Sequence, residues 1–310
     1  MTLTTIPGGL VDAHAHYTLD LDDAGLPEGD WAARVAHNLA AARAAGVLAA
    51  RDAGSRDGLD PALLGGAQVV AAGRFLAPAG RYHAHLIRPT PPEELVAESE
   101  RQARGGVPWV KVIADFPGAD GNWFAPVVNY EVALVERAVA AAHAHGARVM
   151  AHVSGPVVGE LVRIGVDSIE HGPLIDAALV DEMAARGTLW CPTVATIERH
   201  IAPLRDVAPP VAACFERWAR TLPLAVARGV PVLAGSDELG PAGVAAEAEA
   251  LVRIGGLTPA QATHAATAVP RRVLGLPADA GEAVTFDGDP TKDIMSLARV
   301  RTIAAPPPPS

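Results

Sequence analysis

Two histidines stand two residues apart at the end of an apolar run, Leu10-Val11-Asp12-Ala13-His14-Ala15-His16. Side chains alternate faces along a strand, so residues two apart point the same way, about 6.6 Å from one another. Both imidazoles can therefore reach one ion, and the same alternation predicts Asp12 on their face. Further along, short apolar segments end in His152, His171 and Asp237, and Lys111 interrupts Trp109-Val110-Lys111-Val112-Ile113. Neutral imidazole and carboxylate suit zinc and other divalent transition metals, and ligands drawn from several strands leave a position for water. His-x-His alone is a short pattern that loop histidines also make; its weight comes from the other strand ends. His143-x-His145 has the same spacing inside a helical run, where the two diverge by roughly 200°. They read as helix C-terminal histidines favoured by the dipole.

Lys111 admits two chemistries. A buried amine with a lowered pKa can form a Schiff base, and an amine that takes up carbon dioxide becomes a carbamate. A carbamate is a carboxylate equivalent able to bridge two ions, so beside a histidine cage it is the preferred reading.

Positioning such a set requires many strands ending on one rim. Helical segments repeatedly finish at a glycine before a short strand rich in Val, Ile and Ala: Gly46 before residues 47–50, Gly66 before 67–70, Gly106 before 107–113, Gly146 before 148–151, Gly165 before 166–169, Gly187 before 188–192 and Gly229 before 230–234. Gly8-Gly9 opens the first strand. Near-continuous apolar runs point to a parallel sheet buried on both faces, and eight βα units close into an α/β (β/α)8 TIM barrel whose C-terminal strand ends form the active face. Arg51 and Asp52 end the second strand on that rim. Thr90 to Glu93 and Thr258 to Gln261 read as capping boxes, with Asn129 and Asp176 as further N-caps. An open doubly wound sheet finds no Gly-x-Gly-x-x-Gly to support it.

Composition narrows the field. Acidic residues exceed basic ones, 35 to 25, for a net charge of −10, which repels phosphate backbones and anionic membrane surfaces. Nucleic acid and membrane are therefore not expected partners; a small-molecule substrate is, and a homo-oligomer stays open. Two cysteines, Cys191 and Cys214, provide neither a disulfide framework nor a thiolate cluster, which fits a reducing cytoplasm. No export signal and no membrane span is read. No Gly-x-Ser-x-Gly elbow or phosphate-cradling loop supports a serine or nucleotide hydrolase.

The segments Leu10 to His16, Val110-Lys111-Val112, Val149 to His152, Asp167 to Gly172, Pro192-Thr193 and Gly235-Ser236-Asp237, in this order and spacing from Gly8 to about Leu276, resemble the amidohydrolase superfamily and its imidazolonepropionase-like and Xaa-Pro-dipeptidase-like branch. The resemblance implies a binuclear metal-dependent hydrolase of a small-molecule amide, lactam or ester, such as a dipeptide or N-acyl amino acid. It places two divalent ions, zinc first among them, with His14 and His16 on the buried ion, carbamylated Lys111 bridging, and His152 and His171 on the second. Asp237 then stands near the bridging water, accepts its proton and passes it to the leaving group. A Schiff-base lyase using Lys111 and a non-catalytic metal-binding barrel are the rival readings. A mononuclear deaminase lacks a further glutamate near His152.

Two departures qualify the likeness. Relatives carry a small β-sandwich built from both chain ends, but only nine residues precede Leu10, so this domain is expected missing or reduced to a remnant. The barrel is assigned to residues 8–276, and 277–310 to a short C-terminal β remnant and a Pro-rich tail. Where the branch has Gly-Gly-His after the third strand, this chain has Ala79-Gly80-Arg81-Tyr82-His83-Ala84-His85. Arg81, Tyr82 and His83 are candidate substrate-binding residues for a carboxylate or oxyanion. Tyr130, Glu198 and His200 are weaker candidates, and the long segment 115–129, with Trp123 and Phe124, is a candidate pocket cover.

Overall fold

Strand β1 (Leu3–Pro7) turns at Gly8-Gly9 into β2 (Leu10–Ala15), and the chain continues through β3 (Val47–Asp52), β4 (Gln68–Leu76) and β5 (Trp109–Ile113). A short ribbon follows, β6 (Asp115–Phe116) with β7 (Val127–Val128), and then β8 (Arg148–Val153), β9 (Ser168–His171) and β10 (Leu189–Cys191). The chain closes on β11 (Ala283–Asp287) and β12 (Val300–Ala304). This computed structural model describes residues 2–21, 29–119, 121–123, 125–204, 209–278 and 281–305. Phe124 and the Pro306 to Pro309 tail lie outside the described residues.

Seven strands, β2, β3, β4, β5, β8, β9 and β10, pair in parallel in that order. The segment 230–234 supplies the eighth stave through a Trp190–Val232 bridge, and Ala13 donates to Ala234 O at 2.9 Å to close the ring. The architecture is the (β/α)8 barrel that the glycine-punctuated repeat implied. Helices α1 (Trp31–Ala44), α2 (Leu95–Arg104), α3 (Val132–His143), α4 (Val158–Arg163), α5 (Ala177–Arg186), α6 (Val194–Ile201), α7 (Pro209–Ala227), α8 (Val244–Arg253), α9 (Pro259–Ala265) and α10 (Ala268–Leu274) accompany the strands. Between β3 and β4 the connection is only a 3-10 turn, Pro61–Leu64.

Strand alternation sorts the core into two layers. Val11, Ala13, Ala49, Trp109, Met150, Leu189 and Cys191 share the barrel interior, while Leu10, Val110, Val149, Ile169 and Trp190 face the helices. β2 breaks the alternation: its register slips between Asp12 and Ala15, and Ala15 and Tyr17 rejoin the outer layer. A bulge re-aims the side chains beyond it. Asp12 consequently does not share the face of His14 and His16, contrary to the alternation argument. It accepts from the backbone N–H of His14 (3.1 Å) and of Ser236 (2.9 Å), and Ser236 Oγ lies 2.5 Å from its Oδ2.

The small second sheet runs in the order β1-β11-β12. β1 pairs antiparallel with β11 from Leu3↔Asp287 to Pro7↔Ala283. The remnant thus takes a strand from each side of the barrel, not from the C-terminal segment alone. Gly9 has φ +60°, and a Cβ there would meet Gly46 O at 2.7 Å, so the turn into β2 needs glycine. The Thr258 capping box and the Asp176 N-cap are formed. Thr90 instead takes Arg74 on its hydroxyl and the Tyr130 hydroxyl on its carbonyl, and Asn129 donates to Arg81 O and Ile113 O, so neither caps a helix.

Candidate metal centre

Under the C-terminal rim lies an ionic layer. Arg51 is fully buried inside the barrel, not on its rim, and donates to Ala13 O (2.7 Å), Ser168 Oγ (3.1 Å) and Glu170 Oε1 (2.9 Å). Its guanidinium lies 4.8 Å from the Trp109 ring centroid, with Arg148 on the same ring at 4.2 Å. Burial works against the Glu170 charge, but Arg51 and His14 outweigh it and hold the carboxyl below its usual range. Glu170 in turn meets His14 Nδ1 at 2.6 Å. A carboxylate accepting from Nδ1–H leaves the Nε2 lone pair free to ligate.

Each other imidazole is anchored as well. Asp52 accepts from the backbone N–H groups of Tyr17 and Gly54, shaping the turn that sets Gly54 O 3.0 Å from His16 Nδ1. Burial lifts the Asp52 carboxyl to about 6. Thr193 Oγ1 lies 2.7 Å from His171 Nδ1, and His171 Nε2 lies 2.9 Å from His152 Nδ1. Behind Thr193, buried Glu247 accepts from the N–H groups of Val194 (3.0 Å) and Ala195 (2.8 Å), the free donors at the start of α6. His171 (φ 69°), Thr193 (φ 45°) and Asp237 (φ 50°) are the non-glycine residues with left-handed backbone among those described. Such conformations cost on the order of 1–3 kcal/mol each and cluster where function requires them.

Asp237 completes the group. Its Oδ1 lies 3.5 Å from His16 Nε2 and 3.8 Å from His14 Nε2, and its Oδ2 lies 3.9 Å from His171 Nδ1. Burial opposes its charge, yet the surrounding imidazoles hold the carboxyl below the ordinary range. The preceding Gly235 makes room: a Cβ there would fall 2.4 Å from His14 Cβ and 2.7 Å from Cys191 Sγ. Lys111 is buried, and among the described residues no ion pair reaches its amine. Burial lowers its pKa to about 8, and its charge in turn depresses His14, His152 and His171.

These donors fit a divalent ion. His14, His16 and Asp237 offer ligand atoms within 4.8 Å of one another. Two nitrogens on a tetrahedral ion are roughly 3.3 Å apart, close to the 2.9 Å between His171 Nε2 and His152 Nδ1; the other ring nitrogen of His152, Nε2, is buried with no hydrogen-bond partner among the described residues. Burial and then Lys111 push His14 down to about 3, and burial keeps His152 well below its usual value, so both present neutral nitrogen. A second grouping, His14, Glu170 and Cys191, also has atoms within 4.8 Å. There burial and Glu170 keep the thiol protonated, and Glu170 is committed to Arg51.

The structure brings His14, His16, Lys111, His152, His171 and Asp237 together. Tyr82 stacks edge-on to His152 at 5.7 Å, with His83 beside it at 5.0 Å. Arg81 turns away and pins the β6–β7 ribbon through Asn129 Oδ1, Phe116 O and Val127 O. Tyr130 bonds Thr90, Glu198 pairs with Arg253, and His200 pairs with Glu238 at the rim. His143 and His145 pair with Asp167 and Glu100, away from the cage. Glu170 and Thr193 lie inside segments that carry the resemblance but were given no role there, and Glu247 escaped the sequence argument. A charged residue inside the strand Ser168-Ile169-Glu170-His171 was the available signal for the first.

The family model described as the amidohydrolase family matches residues 5–285. An uncharacterized protein of Mycobacterium tuberculosis is 35% identical over 87% of this chain and 74% of its own, as is one from Mycobacterium bovis. Among solved structures, a Xaa-Pro dipeptidase with methionine bound in its active site aligns with a TM-score of 0.78 at 21% identity, over 98% of this chain and 86% of that one. Aspergillus niger ochratoxinase aligns at 0.75 and 22%, over 97% and 82%. The structural likenesses speak for the barrel, and the family model, spanning the strands that carry the histidine cage, shows that this chain belongs to the amidohydrolase family and is a hydrolase.

Proposed function

We propose that the protein is a binuclear metal-dependent hydrolase of a small-molecule amide, lactam or ester, with a dipeptide or N-acyl amino acid as first candidates. The observation that carries this reading is the convergence of His14 Nε2, His16 Nε2 and the Asp237 carboxylate at the barrel's C-terminal rim. His14 and His16 would hold one ion and His152 and His171 a second, with a carbamate on Lys111 between them. Divalent ions bound there, zinc the first candidate, would polarise the scissile carbonyl and lower the pKa of a water.

The chain's own groups do the remainder. Asp237, kept ionised by its imidazole neighbours, takes the proton of the attacking water and returns it to the departing nitrogen or oxygen. Glu170, Gly54 O and Thr193 fix the orientation of His14, His16 and His171. Tyr82, whose phenol burial keeps protonated, is a donor at the mouth. A Lys111 amine with its pKa near 8 spends part of its time neutral at pH 7 to 8, as capture of carbon dioxide requires. The relatives of solved structure include a prolidase complexed with N-methylphosphonate-L-proline and the ochratoxinase, which support an amide substrate.

The test is metal content per chain after expression with zinc and bicarbonate, alongside hydrolysis of an amide and ester panel before and after chelation. About two ions are expected, falling to one or none in Lys111→Ala, with turnover lost on chelation and restored by zinc. A metal-free wild type that retains turnover would sink the proposal. The depressed Lys111 pKa also suits a Schiff-base amine; a borohydride-trapped adduct on Lys111 would favour that second reading.

A further inference from the structure

The chain has five Phe, three Tyr and five Trp, and four of these rings form one wall beside the cage. Phe75 meets Tyr82 at 5.5 Å, Tyr82 meets Phe116 at 5.0 Å, and Phe116 meets Trp123 at 5.2 Å, each pair steeply inclined. The inner end touches the proposed ligands: Phe75 lies 5.8 Å from the His16 ring, and Phe116 6.2 Å from that of His152. The outer end faces water, with Trp123 48% exposed and Tyr82 and Phe116 half-buried.

Phe116 is held in place. Arg81 clamps the carbonyls on both sides of the β6–β7 ribbon, and Asp115 accepts from the N–H groups of Ser154 (2.8 Å) and Gly155 (2.7 Å) beyond β8. The inner part of the wall, Phe116, is therefore a fixed aromatic ring next to the proposed centre, with Trp123 packed on its outer side. Aromatic rings prefer edge-to-face or offset partners because of their quadrupoles, a preference that a saturated ring of similar size lacks.

We propose that this wall is a subsite for an aromatic ring carried by the substrate next to the scissile bond, with Phe116 and Trp123 as specificity-determining residues. This inference rests on the hydrolase reading above. A merely greasy mouth would favour cyclohexyl over phenyl, since the saturated ring is the more apolar; an aromatic subsite reverses that order.

Matched pairs test it with the zinc-loaded full chain: N-benzylacetamide against N-(cyclohexylmethyl)acetamide on the amine side, and N-phenylacetylglycine against N-cyclohexylacetylglycine on the acyl side. The phenyl member of at least one pair is expected to lead in kcat/KM by roughly 3- to 10-fold. In Phe116→Leu and Trp123→Leu the ratio should fall to about one. A wild-type ratio at or below one in both pairs, or a ratio that both variants leave unchanged, overturns the subsite. If none of the four is turned over, calorimetric titration decides: tighter binding of a phenyl member, weakened in the two variants, supports the subsite, and equal or weaker binding refutes it. The hydrolase reading itself stands or falls separately, on metal-dependent turnover of the wider panel.

Discussion

Asp237 keeps its charge in a buried site because burial is outweighed by the imidazoles of His14, His16 and His171 around it. Asp237→Asn preserves the shape but removes the proton acceptor, so metal content by elemental analysis should hold while kcat falls by about 100-fold or more; a near-wild-type rate would remove Asp237 from the chemistry. Glu170 works one layer deeper. Glu170→Gln leaves Arg51 without its counter-charge and His14 without its carboxylate. We expect roughly 10- to 100-fold weaker zinc binding by competition with a chelator, and a loss of about 3 kcal/mol in denaturant stability. The cage histidines and Lys111 were legible because each interrupts an apolar strand end. The roles of Thr193 and Glu247 were not: one sits in a left-handed turn and the other inside an ordinary amphipathic helix, and only their contacts show what they hold.

At the scale of elements, the repeat of glycine and apolar strand gave the barrel, and local sequence gave two of the four caps. The bulge in β2 had no signal, because it arises from pairing with β3 and from the hold of Ser236 on Asp12. The start of α6 depends on Glu247, whose carboxyl burial raises to about 8 from 4.5. A raised folded pKa means that the native state binds the proton more tightly than the unfolded chain. Stability from this group is therefore full below about pH 4.5 and declines as pH rises through 8. Glu247→Gln should flatten that decline by up to about 4 kcal/mol, measured as unfolding free energy at pH 5, 7 and 9. Equal slopes in the two proteins would contradict it.

Over the whole molecule, the family pattern and the barrel were readable from eight strand ends, but the extent of the small sheet was not. Leu3-Thr4-Thr5-Ile6-Pro7 is too short to declare itself, and only the antiparallel register with β11 makes it a strand. Removing residues 1–7 leaves one side of β11 unpaired next to buried Val284 and Phe286. We expect Tm to drop by several degrees, with metal content retained, because no cage residue belongs to that sheet. Loss of the ions in the truncated chain would instead tie the small sheet to the site.

The same clasp sets a timetable for the chain's birth. Thr5 and Thr285, whose hydroxyls meet at 2.9 Å, are separated by 280 positions, and Asp12 waits 224 positions for Ser236. At ordinary rates of synthesis of ~5–20 residues per second, the first strand stands without its later partners for roughly 14–56 s. In the earlier part of that interval, until residues 170 and 237 have been made, the strand has neither Glu170 to orient His14 nor Asp237 to face it. If the site binds ions as proposed, capture needs the closed barrel, and a ribosome-stalled chain ending before residue 230, without the eighth stave, should emerge without them.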